Sequence, residues 1–261
     1  MDATATLYDW AAGELAVRDD CELAETELLA ADSFLVDEGR VLALRLHRSR
    51  FLESAREQGH ADRADAAAFW DTAVTLLPRS GQWFPRFELV RSRDVLRLRF
   101  RLRSAPALGD TLVVATAPSD PRQLPHLKGP DIARLGVLRQ QAQKRGAQEA
   151  VILDDGHVSD GTTSALLWWR GNTLYAPPFE LERVDSVAAR TVRGIAAALG
   201  VPVDEETVRP SELAGANLWA VNALHGIREV TAWVDGPALA RDEARTRAWR
   251  ARFAALARPL P

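Results

Sequence analysis

The chain has 261 residues, 47% of them hydrophobic, and a formal net charge of −3, which suits one large or two small globular domains and excludes a disordered, fibrous or broadly polyanion-binding protein. The single cysteine, Cys21, rules out an internal disulfide and fits a reducing compartment. No apolar run reaches the length of a membrane span and the acidic N-terminus lacks a signal-peptide pattern, so a cytoplasmic protein with neither membrane nor nucleic acid as partner is expected.

Along the chain, Ser33 to Leu46 reads as a hairpin, with Asp37-Glu38-Gly39 as the turn and Val41 to Leu44 as the return strand. Helical periodicity follows from His47 to about Gln58 and from Ala61 to Leu77, where Pro78 stops it. Phe84 to Arg103 reads as a second hairpin. Its return strand puts Leu96, Leu98, Phe100 and Leu102 on one face and Arg97, Arg99, Arg101 and Arg103 on the other. At this net charge, four arginines in a row are read as a solvated or carboxylate-paired face rather than a polyanion track.

A strand at Thr111 to Ala117 precedes Pro-Ser-Asp-Pro-Arg-Gln, by composition the best domain boundary, giving an N-terminal α/β lobe over 1–117 and a C-terminal lobe over 124–261. A helix from Pro130 to Lys144 ends at Gly146, a left-handed cap. Ala150 to Leu153, Ser164 to Trp169 and Thr173 to Tyr175 read as strands, with turns at Asp155-Gly156 and Gly171-Asn172. Ser186 opens a helix that closes at Gly200. Strands near Leu218 to Val221 and Glu229 to Val234 then lead to a helix ending near Ala257. The mixture is α+β in two lobes.

Chemistry starts from an imbalance. Only two of the 33 basic residues are lysines, Lys128 and Lys144. Lys144 sits at a helix end, where a cation suits the helix dipole. Lys128 lies in the turn-like Leu-Pro-His-Leu-Lys-Gly-Pro-Asp, where an arginine would do for charge alone. Arginine stays protonated, whereas a lysine amine can lose its proton and attack a carbonyl, so Lys128 is a candidate Schiff-base residue. Arginine bias as a coding habit, with Lys128 an accident of it, is the alternative.

A Schiff-base lysine is most useful with a carbonyl cofactor such as pyridoxal 5′-phosphate, which also needs an anion site and a carboxylate against its ring nitrogen. Ser186 caps a helix whose Val187 and Ala188 amides suit a phosphate. Asp160, in Gly-His-Val-Ser-Asp-Gly-Thr-Thr-Ser, can supply the carboxylate, although a turn aspartate bonded to the next amides is locally the commoner outcome.

Taken in order, Leu127-Lys128, Gly146-Ala-Gln-Glu-Ala-Val-Ile-Leu153, Gly156-His-Val-Ser-Asp-Gly161, Leu167 to Pro177, Ser186-Val-Ala-Ala-Arg190 and Asn222-Ala-Leu224 resemble the fold-type IV pyridoxal phosphate enzymes, the class IV aminotransferases and aminodeoxychorismate lyases. Upstream, His47-Arg-Ser-Arg-Phe-Leu-Glu-Ser54 resembles the family's His-x-x-Arg-Leu-x-x-Ser helix start, so the likeness runs over roughly 32–235. It implies a two-lobed, D-amino acid aminotransferase-like fold with the cofactor at the lobe interface, and a homodimer. It makes Lys128 the internal aldimine lysine and proton shuttle, and puts Asp160 where the family usually has glutamate. Arg50 would bind the phosphate together with the Val187 and Ala188 amides and the backbone at Ala223 and Leu224.

Three departures accompany the likeness: Asp160 is one methylene short, Ala188 lacks a threonine hydroxyl, and no Gly-Asp-Gly-Val-Phe-Glu-type segment is evident near the N-terminus. The resemblance implies either a lyase converting 4-amino-4-deoxychorismate to 4-aminobenzoate and pyruvate, or an aminotransferase for branched-chain or D-amino acids. The Asn222-Ala223-Leu224 string, the Leu167 to Pro177 segment and the lack of a tyrosine shortly after Lys128, where Ile132 stands, favour the lyase. A non-catalytic binding module ranks third, because it predicts loss of the lysine. For a small anionic amine substrate, Arg86, His225 and Arg228 are the candidate carboxylate contacts; His225 reads equally well as a packed supporting residue and Arg86 as a surface charge. No metal site is expected.

Overall fold

A computed structural model describes residues 5–18 and 26–261; Cys21 lies outside the described residues. The chain divides into two units: one of residues 1–108, 127–130 and 256–261, the other of 109–126 and 131–255. The structure is mixed α and β, as the sequence predicts.

The first unit carries β1 (Thr6–Ala11), β2 (Glu14–Val17), β3 (Glu27–Ser33), β4 (Val36–Asp37), β5 (Arg40–Val41), α1 (Leu44–Glu57), α2 (Arg63–Thr75), β6 (Gln82–Trp83), β7 (Arg86–Ser92) and β8 (Val95–Leu102). A five-stranded sheet in the order β2-β1-β8-β7-β3 forms its frame. Its core is aromatic: Phe34, Phe51, Phe69, Trp70, Phe87 and Phe100 are all essentially buried, and Trp70 stacks on Phe87 at 3.9 Å between ring centroids.

The hairpin at Glu38-Gly39 forms, both residues having positive φ, but its return strand is only Arg40–Val41. Ala43 turns left-handed and α1 begins at Leu44, so the strand expected through Leu44 ends early. Two of the three β8 arginines pair with carboxylates, Arg99 with Asp9 at 3.1 Å and Arg101 with Glu88 at 3.4 Å, and Arg103, just past the strand, donates to the Phe84 carbonyl at 2.7 Å. The face is thus carboxylate-paired at Arg99 and Arg101.

The second unit carries β9 (Thr111–Thr116), α3 (Ile132–Lys144), β10 (Glu149–Asp154), β11 (His157–Gly161), β12 (Ala165–Arg170), β13 (Thr173–Ala176), α4 (Val187–Ala198), β14 (Val203–Glu205), β15 (Asn217–Asn222), β16 (Gly226–Val234) and α5 (Glu243–Ala255). β17 (Arg258–Pro259) returns to the first unit and pairs with β5 in a small sheet ordered β17-β5-β4-β6. The second unit's eight-stranded sheet runs β11-β10-β9-β16-β15-β12-β13-β14. On it Trp169, Trp219 and Trp249 pack edge to face, with centroids 5.2–5.6 Å apart.

Three sequence expectations shift here. The strand β9, read with the N-terminal lobe, lies inside the second sheet between β10 and β16, so the chain passes from one unit to the other after Leu108 rather than at 118–123. Lys128, expected in the C-terminal lobe, groups with the first unit. Asp160 is not in a turn but in β11, opposite Ile152. That strand is hidden in sequence because His-Val-Ser-Asp-Gly is poor in β-formers.

Candidate active site

In the first unit, Lys128 is pinned through its backbone. The Ala31 amide of β3 donates to the Lys128 carbonyl at 2.7 Å. Gly129 follows with φ +146°, and a Cβ there would lie 2.7 Å from Ala30 Cα, an approach that needs glycine. Leu127 is buried beside it and Lys128 is half-buried.

One residue after Ala31, the fully buried Asp32 gathers two partners from α1. His47 Nδ1 lies 2.7 Å from one carboxylate oxygen, and Arg50 Nε donates to the other at 2.8 Å. The His-x-x-Arg spacing puts both on the same face of α1, one turn apart. Burial raises the Asp32 pKa, but the Arg50 and His47 charges and hydrogen bonds outweigh it and hold the carboxyl well below its usual range. Burial lowers the His47 pKa against the pull of Asp32, and the Arg50 and Lys128 charges lower it further. Lys128, Asp32, His47 and Arg50 thus share one electrostatic neighbourhood. Asp32 was not singled out from the sequence; a lone acid inside Leu-Leu-Ala-Ala-Asp-Ser-Phe-Leu-Val was the available signal.

In the second unit, Asp160 accepts from the Gly161 amide at 3.0 Å and faces Arg122 Nη1 at 3.5 Å. Burial pushes its pKa up to about 7, against the lowering influence of Arg122, the Gly161 amide and Arg183. The Gly161 to Ser164 loop folds onto the buried carboxylate of Glu149, which accepts from the Thr162 hydroxyl, from the Thr163 amide and hydroxyl at 3.1 and 2.5 Å, and from Ser164 Oγ at 3.1 Å. Ser164 in turn accepts from Asn222 Nδ2 and Arg228 Nη2, each at 3.1 Å. Asn222 Oδ1 receives the Leu224 and His225 amides, so the Ala223-Leu224 turn is fixed to the loop beside Asp160.

Ser186 caps α4 as expected, its hydroxyl accepting from the Ala189 amide at 3.2 Å. Val187 and Ala188 begin the helix, where amides have no acceptor within it. A cavity of about 490 Å³ opens at this end, lined by Ala165 and Leu167 of β12, Phe179, Arg183, Val184 and Ser186 among others.

The three candidate substrate contacts are engaged within the fold. Arg86 pairs with Glu88 at 2.5 Å. His225 Nδ1 accepts from the Gly109 amide at 3.2 Å, and its pKa is lowered to about 4 by burial and then by Arg228, Arg139 and Arg250, so it is neutral. Arg228 is buried against Ser164, with Glu149 at 3.9 Å.

Taken unit by unit, the residues present fit parts of pyridoxal phosphate. In the first unit a primary amine is held on a fixed backbone; in the second, a helix start offers two amides to an anion and the buried Asp160 carboxyl, near pKa 7 with Arg122 at 3.5 Å, can accept a hydrogen bond from a protonated ring nitrogen.

Comparison with known proteins agrees. A family model described as amino-transferase class IV matches residues 29–233, and the chain belongs to that family. No curated protein matches. Among solved structures, the branched-chain aminotransferase of Thermoproteus uzoniensis, solved with norvaline, is 19% identical, covering 98% of this chain and 100% of its own, with a TM-score of 0.77. An aminotransferase from Brucella abortus with bound PLP is 17% identical over 96% of this chain and 99% of its own, at a TM-score of 0.75. A putative 4-amino-4-deoxychorismate lyase from Legionella pneumophila is 17% identical over 88% of this chain and 92% of its own, at 0.71. The fold is that of the fold-type IV enzymes and the cofactor is pyridoxal 5′-phosphate. Among the described residues, no helix is long and apolar enough to cross a membrane.

Proposed function

We propose that the chain is a lyase that converts 4-amino-4-deoxychorismate to 4-aminobenzoate and pyruvate with Lys128 as the base. When bound, pyridoxal phosphate supplies an electron sink for the carbon that loses its proton. In this reading Lys128 would take that proton, Asp160 would keep the ring nitrogen protonated, and Arg50 with the Val187 and Ala188 amides and the Ala223-Leu224 turn would hold the phosphate.

The observation that carries the lyase reading is the chain just after Lys128. Gly129, Pro130 and Asp131 lead into an α3 that opens on the half-buried Ile132, so the segment provides no phenolic hydroxyl to assist a second proton transfer. An elimination driven by aromatisation needs only the one base. Aminotransferase activity is the second reading, favoured by the class IV aminotransferase family model itself. By the same resemblance the enzyme is a homodimer, which sedimentation of the purified protein tests.

The deciding experiment supplies aminodeoxychorismate alone. Sustained 4-aminobenzoate release with the cofactor still in its aldehyde oxidation state supports the lyase. No product, together with conversion of the cofactor to its amine form when an amino acid is added, moves the assignment to aminotransferase and leaves Lys128 in its role.

A further inference from the structure

The stretch Pro-Ser-Asp-Pro-Arg-Gln, read from composition as a domain boundary, carries a built feature. Asp120 grips the Arg122 guanidinium along one edge: Nε donates to Oδ1 at 2.9 Å and Nη2 to Oδ2 at 2.7 Å, while the Arg122 amide donates to Oδ1 at 3.0 Å. Nη2 also reaches Ser159 Oγ at 3.4 Å. The Arg122 side chain is only 4% exposed, and its remaining nitrogen, Nη1, is buried without a hydrogen-bond partner in the fold. That nitrogen faces Asp160 Oδ2 at 3.5 Å.

We propose that Arg122, clamped by Asp120, is a positioning residue that aims the Asp160 carboxylate and favours its ionised form. The fork geometry explains why arginine is needed: a guanidinium can be gripped bidentately on one edge and still present a third nitrogen, which an ammonium cannot do. The other charged groups acting on Asp160 are Arg183, which favours the ionised form, and Glu149, which opposes it. Glu149 is enclosed by the Thr162, Thr163 and Ser164 donors, and Arg183 is tied to the Pro177, Pro178 and Leu181 carbonyls. Arg122 is the cation whose open nitrogen lies on the carboxylate. The consequence for catalysis rests on Asp160 being the ring-nitrogen partner; the Arg122–Asp160 coupling does not.

The test is the titration of the Asp160 carboxyl carbon by NMR in cofactor-free, 13C-aspartate-labelled protein, with Asp160→Asn identifying the signal. An opposite charge at this range shifts a carboxyl by about 1–3 pH units, so Arg122→Gln should raise the midpoint by about that much, a tenfold or larger change in the protonation ratio. Arg122→Lys should restore part of the shift, and Asp120→Asn, which frees the guanidinium, should give a smaller rise. A residue that only supports the fold would alter the melting temperature and leave the midpoint alone. An unmoved midpoint in folded Arg122→Gln overturns the proposal; if that variant does not fold, an unmoved midpoint in Asp120→Asn does so. Adding pyridoxal phosphate to the wild type is a separate arm: an Asp160 signal that does not respond removes it as cofactor partner and leaves the Arg122 coupling standing.

Discussion

The Ala31 amide donates to the Lys128 carbonyl at 2.7 Å, and Asp32 follows Ala31 directly, so one stretch of β3 both pins the Lys128 backbone and orients Arg50. Position and charge of the lysine's surroundings are therefore set by neighbouring residues of the same strand.

Gly129→Ala is expected to disturb this arrangement. The new Cβ would meet Ala30 Cα at 2.7 Å and its carbonyl carbon at 2.8 Å, both backbone atoms that cannot rotate away. A loss of about 1–3 kcal/mol follows from overpacking, with reduced cofactor incorporation. Urea midpoints and bound-cofactor absorbance check it. Wild-type values in both would show that β3 moves aside freely.

Lys128→Ala should abolish the yellow absorbance of the lysine-linked cofactor and the adduct that borohydride fixes. Peptide mapping of the reduced wild-type protein should find the label on Lys128. A label on Lys144 instead would refute the assignment.

Arg50→Ala should weaken cofactor binding by about 1.5–3 kcal/mol, the range for hydrogen bonds to charged groups. It also leaves buried Asp32 with His47 alone, and breaking a buried pair costs about 3–5 kcal/mol. Two pH effects accompany this. Because the folded Asp32 pKa is depressed, its contribution is complete above the unfolded value of about 4 and is lost as pH falls towards the folded one. Because the folded His47 pKa is also depressed, stability declines as pH drops below about 6.5, where the unfolded histidine takes up its proton first. Denaturant titrations across pH 4–8 and cofactor titrations measure these effects. Undiminished affinity in Arg50→Ala would mean that the phosphate is held elsewhere.

Asp160 has the opposite sign. Its folded pKa of about 7 exceeds the unfolded value of about 4, so the folded state binds more protons between them and stability falls as pH rises through that window. Without cofactor, Asp160→Asn should be more stable than wild type at pH 8, on the order of a few kcal/mol, and nearly equal to it at pH 4. Turnover of the variant should fall sharply although it folds. Equal stability at pH 8 would show that the carboxylate is already fully compensated.

The helices and the family were legible because they rest on local signals: periodicity set α1 through α5, the ordered motifs set the resemblance, and Ser186 announced its own helix. What stayed hidden depends on contacts distant in sequence. Asp32 is an ordinary strand residue until α1 brings His47 and Arg50 to it. Arg122 and Asp120 look like linker polarity until β11 places Asp160 beside them. Nor does sequence reveal that Arg86, His225 and Arg228 meet Glu88, the Gly109 amide and Ser164 within the fold.

The indole trio of the second unit has an optical consequence. Trp249 belongs to α5, whereas Trp169 and Trp219 belong to β12 and β15, and centroid separations of 5.2–5.6 Å at steep angles put the three transition dipoles within strong coupling range. Their exciton couplet in the circular dichroism spectrum is thus a gauge of whether α5 is seated on the sheet, read without any label. Trp249→Phe would leave a weaker two-indole signal from Trp169 and Trp219, and loss of the couplet before the global transition would mark α5 as the first element to detach.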